Sequence, residues 1–391
     1  MNEAPRADRV HIGIFGRTNS GKSSFVNALT GQEISLVSEV RGTTTDPVYK
    51  SMEIHPIGAS VLIDTAGFDD ESILGEERMR ATRRILDKTD VAVLLCSSMD
   101  LSKEKEWVEL FKKHSIPIVV LANKMDDIDP VALCEKIKAE LGLDAVAISA
   151  KNKENIDLAR EKIAQSAEVE RERTICGHLV EEGDIVLLVM PQDIQAPKGR
   201  LIMPQVQTIR DLLDHRCIVI SSTLDQLKNA MDMLKEPPKL IITDSQIFPK
   251  VKAMQPKEST LTSFSVLFSR YKGDIETFVE GARSLGMLKA GDRVLIAEAC
   301  THNALDGDIG RIKIPNLLRK KYGAVEVEIV SGANFPEDLT GYSAIIHCGS
   351  CMFNRKHVMS RVQKAQEAGV PITNYGLAIA FMNDMMDSIS Y

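Results

Sequence analysis

Val10-His11-Ile12-Gly13-Ile14-Phe15 runs into Gly16-Arg17-Thr18-Asn19-Ser20-Gly21-Lys22-Ser23. The first six residues form a mixed apolar run of strand length. The next eight complete a G-x-x-x-x-G-K-S loop. A helical pattern follows from Ser24 to Leu29 and stops at Thr30-Gly31. Strand, glycine loop and helix together are the context that separates a phosphate-binding loop from a chance glycine-rich turn. Gly16 and Gly21 let the backbone curl so that successive N–H groups point at phosphate oxygens. Lys22 adds charge near the β and γ phosphates, and the Ser23 hydroxyl can ligate Mg²⁺.

Further signals follow in order. Arg41-Gly42-Thr43-Thr44-Thr45-Asp46 lies between the first helix and the next strand, in a loop able to offer a threonine hydroxyl to the metal. Val61-Leu62-Ile63 is a short buried strand ending at Asp64-Thr65-Ala66-Gly67. Asp64 can hold Mg²⁺ through water, and Gly67, without a side chain, lets its N–H approach a γ-phosphate. Val91 to Cys96 and Ile116 to Ala122 are two more buried strands, the second entering Asn123-Lys124-Met125-Asp126. The Asp126 carboxylate can accept two hydrogen bonds from guanine, where adenine offers no matching donors. Loss of such a pairing can cost about 10⁴-fold in discrimination. Ala147-Ile148-Ser149-Ala150-Lys151 ends the last strand beside the base.

Residues 9–167 therefore resemble a small Ras-like GTPase domain of the Era and MnmE type, with all five motifs in order. The resemblance implies GTP and GDP binding by Gly16, Asn19, Ser20, Gly21, Lys22, Ser23, Ser24, Asp64, Gly67, Asn123, Lys124, Asp126, Ser149, Ala150 and Lys151. It assigns Mg²⁺ to Ser23, Thr44 and, through water, Asp64, and makes Lys22, Thr44 and Gly67 the catalytic set. Asn19 matches the residue that binds K⁺ in potassium-activated members; the alternative is an asparagine capping its own loop. The domain departs from Ras at Phe68, where Ras-like enzymes carry a water-orienting glutamine. Hydrolysis is then expected to be slow unless a monovalent cation or partner completes the site. Trp107 reads as packing.

The whole chain has 391 residues, 44% hydrophobic and 26% charged, with net charge −7. That composition is soluble and globular, with no basic footprint for nucleic acid. Seven cysteines are too sparse for a disulfide scaffold. Met1 to Arg6 hold no apolar signal core, and the longest apolar runs are too short to span a bilayer. The expectation is a cytoplasmic protein with no membrane partner.

Glu168 to Arg173 is a charged break, read as a domain boundary. Beyond it, Asp184 to Met190, Cys217 to Ile220 and Leu240 to Thr243 read as strands, with helices over Pro204 to His215 and Leu224 to Leu234. No chemical constellation appears in this segment, so self-association is its expected role, against a plain spacer. In the last segment, Arg293 to Ala299 is a strand closing on Cys300-Thr301-His302. Ala344-Ile345-Ile346 is another, closing on His347-Cys348-Gly349-Ser350-Cys351 before a helix. Three cysteines and two histidines thus fall at strand ends of one expected sheet. Structural Zn²⁺ in Cys₃His form and an iron–sulfur cluster on three thiolates both fit that set.

Cys-x-His, a long gap, then His-Cys-x-x-Cys, behind this kind of GTPase, resembles the FeFe-hydrogenase maturation GTPases of the HydF family. The stretch from Thr262-Ser263-Phe264-Ser265 through Arg270-Tyr271-Lys272-Gly273-Asp274 looks like that family's linker into its cluster domain. The resemblance implies three α/β domains: a Ras-like P-loop GTPase domain (1–168), a dimerisation domain (169–271) and a cluster domain (272–391), the latter two with parallel sheets. It implies a 4Fe-4S cluster on Cys300, Cys348 and Cys351, with His302 and His347 as candidate ligands or neighbours. It further implies a homodimer that carries a diiron precursor to apo FeFe-hydrogenase and works with two radical-SAM maturases. The competing reading is a ribosome- or tRNA-associated GTPase with a structural zinc domain; the acidic charge argues against it.

Overall fold

The apolar runs of the first segment become a six-stranded sheet among the described residues. Its strands are β1 (Val10–Gly16), β2 (Val48–Ile54), β3 (Gly58–Asp64), β4 (Val91–Cys96), β5 (Ile118–Asn123) and β6 (Ala145–Ile148). Their order is β2-β3-β1-β4-β5-β6, with β2 antiparallel to β3 and every other pair parallel. All six residues of β4 are buried, as a strand covered on both faces requires. The structure, a computed structural model, describes residues 9–31, 48–68, 82–168, 173–191, 201–299, 308–332, 334–350 and 353–391. Thr44, Cys300, His302 and Cys351 lie outside them.

Helices cover both faces of this sheet. On one face α1 (Lys22–Thr30) sets Phe25 and Val26 against Ile12, Ile14, Leu62 and Leu95. On the other, α2 (Ser102–Lys113) and α3 (Pro130–Leu141) pack Trp107, Phe111, Leu133 and Ile137 against Phe15, Ile63, Leu94 and Val120. The α3 helix begins where Asp129 accepts from the N–H groups of Val131 and Ala132, and ends at left-handed Gly142. The last helix of this part, α4, covers Ile156–Glu168. The sequence reading passed over β2. It is an edge strand in which Lys50 and Ile54 are buried between exposed neighbours, so no apolar run marks it.

The chain divides into two compact units, Met1–Glu172 and Arg173–Tyr391. Among its described residues the second holds two four-stranded sheets, each with every pair parallel. One contains β7 (Ile185–Val189), β8 (Ile218–Ser222), β9 (Leu240–Thr243) and β10 (Thr260–Ser263), in the order β10-β9-β7-β8. The other contains β11 (Arg293–Glu298), β12 (Glu326–Ser331), β13 (Ala344–His347) and β14 (Ile372–Asn374), in the order β12-β11-β13-β14. The helices of this unit are α5 (Met203–Asp214), α6 (Leu227–Asp232), α7 (Phe248–Lys252), α8 (Phe264–Lys272), α9 (Ile275–Ser284), α10 (Ile314–Tyr322), α11 (Arg355–Glu367) and α12 (Tyr375–Met382). The stretch read as a linker holds the end of β10, helix α8 and Asp274, the residue that caps α9. Its Ser and Thr residues hide a strand, and Ser263 caps α8 by accepting from the Val266 N–H.

A single core joins the two sheets. Leu187, Ile241 and Leu261 share it with Phe278, Leu295, Ile345 and Leu377. The expected boundary between residues 271 and 272 falls within this unit, at the last residue of α8. Phe278→Ala, removing a ring that is 2% exposed, should cost about 3–5 kcal/mol. Hydrogen exchange should then show amides of β7–β10 and β11–β14 losing protection together. Loss confined to one sheet would mean that the sheets open independently.

Candidate nucleotide-binding site and cysteine-bearing loop

β1 delivers the chain into the phosphate loop at the carboxyl edge of the sheet, and α1 carries it away. The loop closes through backbone that only small or special residues adopt: Gly21 has φ 92° and Asn19 φ 60°. A β-carbon at Gly21 would collide with the Asn123 side-chain amide. Lys22, buried, sends its ammonium across the loop to Gly16 O (3.0 Å) and Arg17 O (2.8 Å). Ser20 is buried with its hydroxyl unpartnered. Ser24 follows in the first turn of α1. No described residue hydrogen-bonds the Asn19 side chain, which is exposed, so it does not cap its own loop.

The metal side is built by β3. The Ser23 hydroxyl donates to Asp64 Oδ2 at 2.7 Å, while Asp64 Oδ1 is buried and accepts nothing. Burial pushes the Asp64 carboxyl up, and the Ser23 hydroxyl, Lys22 and Lys50 pull it back down. A serine hydroxyl beside a carboxylate with one buried, idle oxygen fits Mg²⁺ with a bridging water. Next comes Gly67. A β-carbon there would lie 2.6 Å from Thr18 N and 2.8 Å from Thr18 Cα, so the switch glycine abuts the phosphate loop. Phe68 does not face that site. It is 4% exposed and stacks on Trp107, with ring centroids 5.3 Å apart.

The base side hangs on Asn123, at the end of β5. Its Nδ2 donates to Ser20 O (2.8 Å) and its Oδ1 accepts from Ala150 N (3.0 Å), tying the phosphate loop to the loop after β6. Lys124 then takes φ 68°. The Ser149 hydroxyl donates to Asp126 Oδ1 at 2.8 Å, and Lys151 Nζ lies 3.8 Å from Asp126 Oδ2. The Ser149 hydrogen bond, first, and the two lysines hold the Asp126 carboxyl below its ordinary range. An ionised Asp126 is what paired guanine donors require.

In the second unit β11 and β13 lie side by side, Ala297 opposite His347. Their ends therefore emerge together. Cys348 N donates to Ala297 O at 2.9 Å, and Ala299 N points at Cys348 Sγ, 3.0 Å away. Cys300 follows Ala299 in the chain. An N–H aimed at sulfur stabilises a thiolate and suits a sulfur-ligated centre. Among the described residues no three His, Cys, Asp or Glu side chains gather to hold a metal.

His347 is 1% exposed and both its ring nitrogens are engaged. Arg361 Nη1 lies 3.0 Å from Nε2; a guanidinium can only donate, so Nε2 accepts. The proton then sits on Nδ1, which donates to Cys348 O at 2.7 Å. Burial, and then Arg361, push its pKa down to about 3, so the ring is neutral. The bend at Ser350 (φ 48°) is held from α8: Lys272 Nζ donates to Ser350 O (3.4 Å) and Phe353 O (2.8 Å).

Sequence reasoning missed three buried cations. Lys50 bonds Asn27 Oδ1 at 3.2 Å beside Asp64. Lys272 braces the cysteine loop, and Arg361 holds His347. The last two left a signal: Arg361 sits in the buried stripe Val358, Arg361, Val362, Ala365, and Lys272 one turn after Phe268.

Three family models match the chain. One described as hydrogen maturase F tetramerization domain matches residues 276–389, and one described as hydrogen maturase F dimerization domain matches residues 175–273. A third, 50S ribosome-binding GTPase, matches residues 11–124. The GTPase Der of Wolinella succinogenes is 38% identical over 175 residues, 42% of this chain and 36% of that protein. The GTPase Der of Campylobacter jejuni subsp. jejuni serotype O:23/36 is 32% identical over 172 residues, 40% of this chain and 37% of that protein. The chain thus spans a little over a third of the length of these curated relatives. A solved Aquifex aeolicus Era variant bound to GDP.AlF4- aligns with TM-score 0.37 at 19% identity, covering 55% of this chain and 92% of that one. NFeoB from S. thermophilus, bound to GDP.AlF4- and K+, aligns with TM-score 0.33 at 23% identity, covering 40% and 61%. With two hydrogen maturase F models tiling the second unit behind a P-loop GTPase domain, the chain belongs to the hydrogen maturase F (HydF) family.

Proposed function

We propose that this protein is a GTP-hydrolysing carrier that holds a 4Fe-4S cluster on Cys300, Cys348 and Cys351 and delivers a diiron precursor to apo FeFe-hydrogenase. The observation that carries this reading is the sulfur of Cys348 at the end of β13, met by the Ala299 N–H one residue before Cys300. A centre bound by three cysteines keeps one iron position exchangeable, which is the chemistry a carrier needs. Neutral His347, with both nitrogens engaged, orients the Cys348 carbonyl and stands behind the ligands rather than among them. The family models matched in the second unit are described as dimerization and tetramerization domains, which supports a self-associating carrier. Apo-hydrogenase and two radical-SAM maturases are the partners proposed with it, in a reducing cytoplasm. No helix among the described residues is long and apolar enough to cross a membrane.

In the first unit, Lys22 and the loop N–H groups bind the phosphates, Gly67 N–H meets the γ-phosphate, and Asp126 reads guanine. Mg²⁺, held by Ser23, Thr44 and, through water, Asp64, would neutralise charge on the phosphates. Phe68, packed on Trp107, orients no water. Slow intrinsic turnover follows, with K⁺ at Asn19 supplying the missing charge; the exposed, uncommitted Asn19 side chain supports that role.

Two outcomes test the reading. GTP turnover in K⁺ should exceed that in Na⁺ by about tenfold or more, a barrier difference of ~1.4 kcal/mol, and Asn19→Ala should erase the difference. Equal rates in the two salts with the unchanged protein would remove Asn19 from the account. Anaerobically purified protein should hold about four iron and four sulfide per chain, and Cys348→Ser should lose the cluster while GTP turnover persists. Stoichiometric zinc without sulfide would establish a structural metal domain instead.

A further inference from the structure

Arg17 is the second residue of the phosphate loop, yet its guanidinium lies on α2. Nε is 3.0 Å and 3.1 Å from the two carboxylate oxygens of Glu104, and Nη2 is 3.1 Å from Glu104 Oε2. Nη2 also donates to Asp100 O at 2.9 Å and lies 3.1 Å from Asp100 Oδ2. Glu104 is 1% exposed, among the residues of α2 that pack on the sheet. A carboxylate that deep stays ionised only against a well-matched cation. Burial pushes the Glu104 carboxyl up, and the Arg17 hydrogen bond opposes it. The planar fork of arginine meets both oxygens at once, which an ammonium cannot.

The backbone of Arg17 stays in the cradle. Its carbonyl accepts from Lys22 Nζ (2.8 Å) and from Ser20 N (3.1 Å). Thr18, the next residue, is the one that Gly67 abuts. One peptide therefore connects the anchor on α2, the phosphate lysine and the switch glycine. The same helix carries Trp107, on which Phe68 stacks immediately after Gly67. Both limbs of the γ-phosphate site are hung from α2, one through Glu104 and one through Trp107.

We propose that Glu104, acting through Arg17, is a positioning residue for GTP hydrolysis: it sets the gap between the phosphate loop and Gly67. This rests on the GTPase reading of the first unit and is independent of the cluster. Binding of a diphosphate relies on Gly21, Lys22 and Ser23, which the side chains of the pair do not contact, the Arg17 backbone carbonyl alone meeting Lys22, whereas hydrolysis also needs the Gly67 N–H at the correct distance. A displacement of about 1 Å at such a site can cost around 10²-fold in rate.

The experiment measures kcat for GTP and Kd for GDP in Glu104→Gln, Arg17→Lys, Arg17→Ala and the double variant Arg17→Leu/Glu104→Leu, with thermal melts in GDP. The expected result is a fall in kcat of about 10- to 100-fold for Glu104→Gln and Arg17→Ala, with GDP affinity within about threefold of the parent. Arg17→Lys should recover part of the rate, since charge remains without the fork. The double Leu variant, with no buried charge stranded, should fold and show the same loss of kcat as either single change; it stands in if Glu104→Gln does not fold. Unchanged kcat, or GDP affinity falling in parallel with kcat, would overturn the proposal. If the parent protein itself hydrolyses no GTP, it is the reading of the first unit that fails.

Discussion

In a parallel sheet every strand ends at the same edge, and the functional residues of this protein depend on that constraint. The loop after β1, Asp64 at the end of β3, Asn123 at the end of β5 and Ser149 after β6 all emerge on one side of the first sheet. The register does the rest: Ile14 pairs with Asp64, and Asn123 with Ile148. Residues far apart in sequence thus meet at one edge of the sheet, the side on which open α/β sheets bind their ligands. The second unit repeats the arrangement, since Ala297 pairs with His347 and the two cysteine-bearing loops leave the sheet beside each other.

Burial then decides how each polar group behaves. Asp64, Glu104, Asn123 and His347 are all shielded from water, where an unmatched polar atom is expensive. Asn123 answers by using both ends of its amide, and Glu104 by accepting a fork. His347 answers by giving up its charge and using both ring nitrogens. Asp64 differs: Oδ2 is occupied by Ser23 and Oδ1 by nothing, so its shielding leaves an acceptor in reserve. The same physics makes three of these groups structural ties and leaves the fourth with an acceptor to spare.

What the sequence disclosed was whatever is written in backbone and short-range pattern. The phosphate loop, Asp64-Thr65-Ala66-Gly67, Asn123-Lys124-Met125-Asp126 and Ser149-Ala150-Lys151 are local strings, and apolar runs such as Val91 to Cys96 announce buried strands. Strand β2 escaped because an edge strand exposes most of its side chains, and β10 because Thr260, Thr262 and Ser263 carry hydroxyls and leave no apolar run to mark it. Arg17–Glu104, Lys272 on the cysteine loop and Arg361 on His347 escaped for a different reason. Each joins residues that only the fold brings together, and a charge on an apolar stripe is a faint mark. Thr44, Cys300, His302 and Cys351 lie outside the described residues, so their placement rests on the motif pattern alone.

Trp107 is the only tryptophan in the chain, and it lies face to face with the residue that follows Gly67. Indole emission responds to what touches the ring. The protein therefore carries its own optical gauge of the segment beside Gly67, readable in ultraviolet light without a dye or a label.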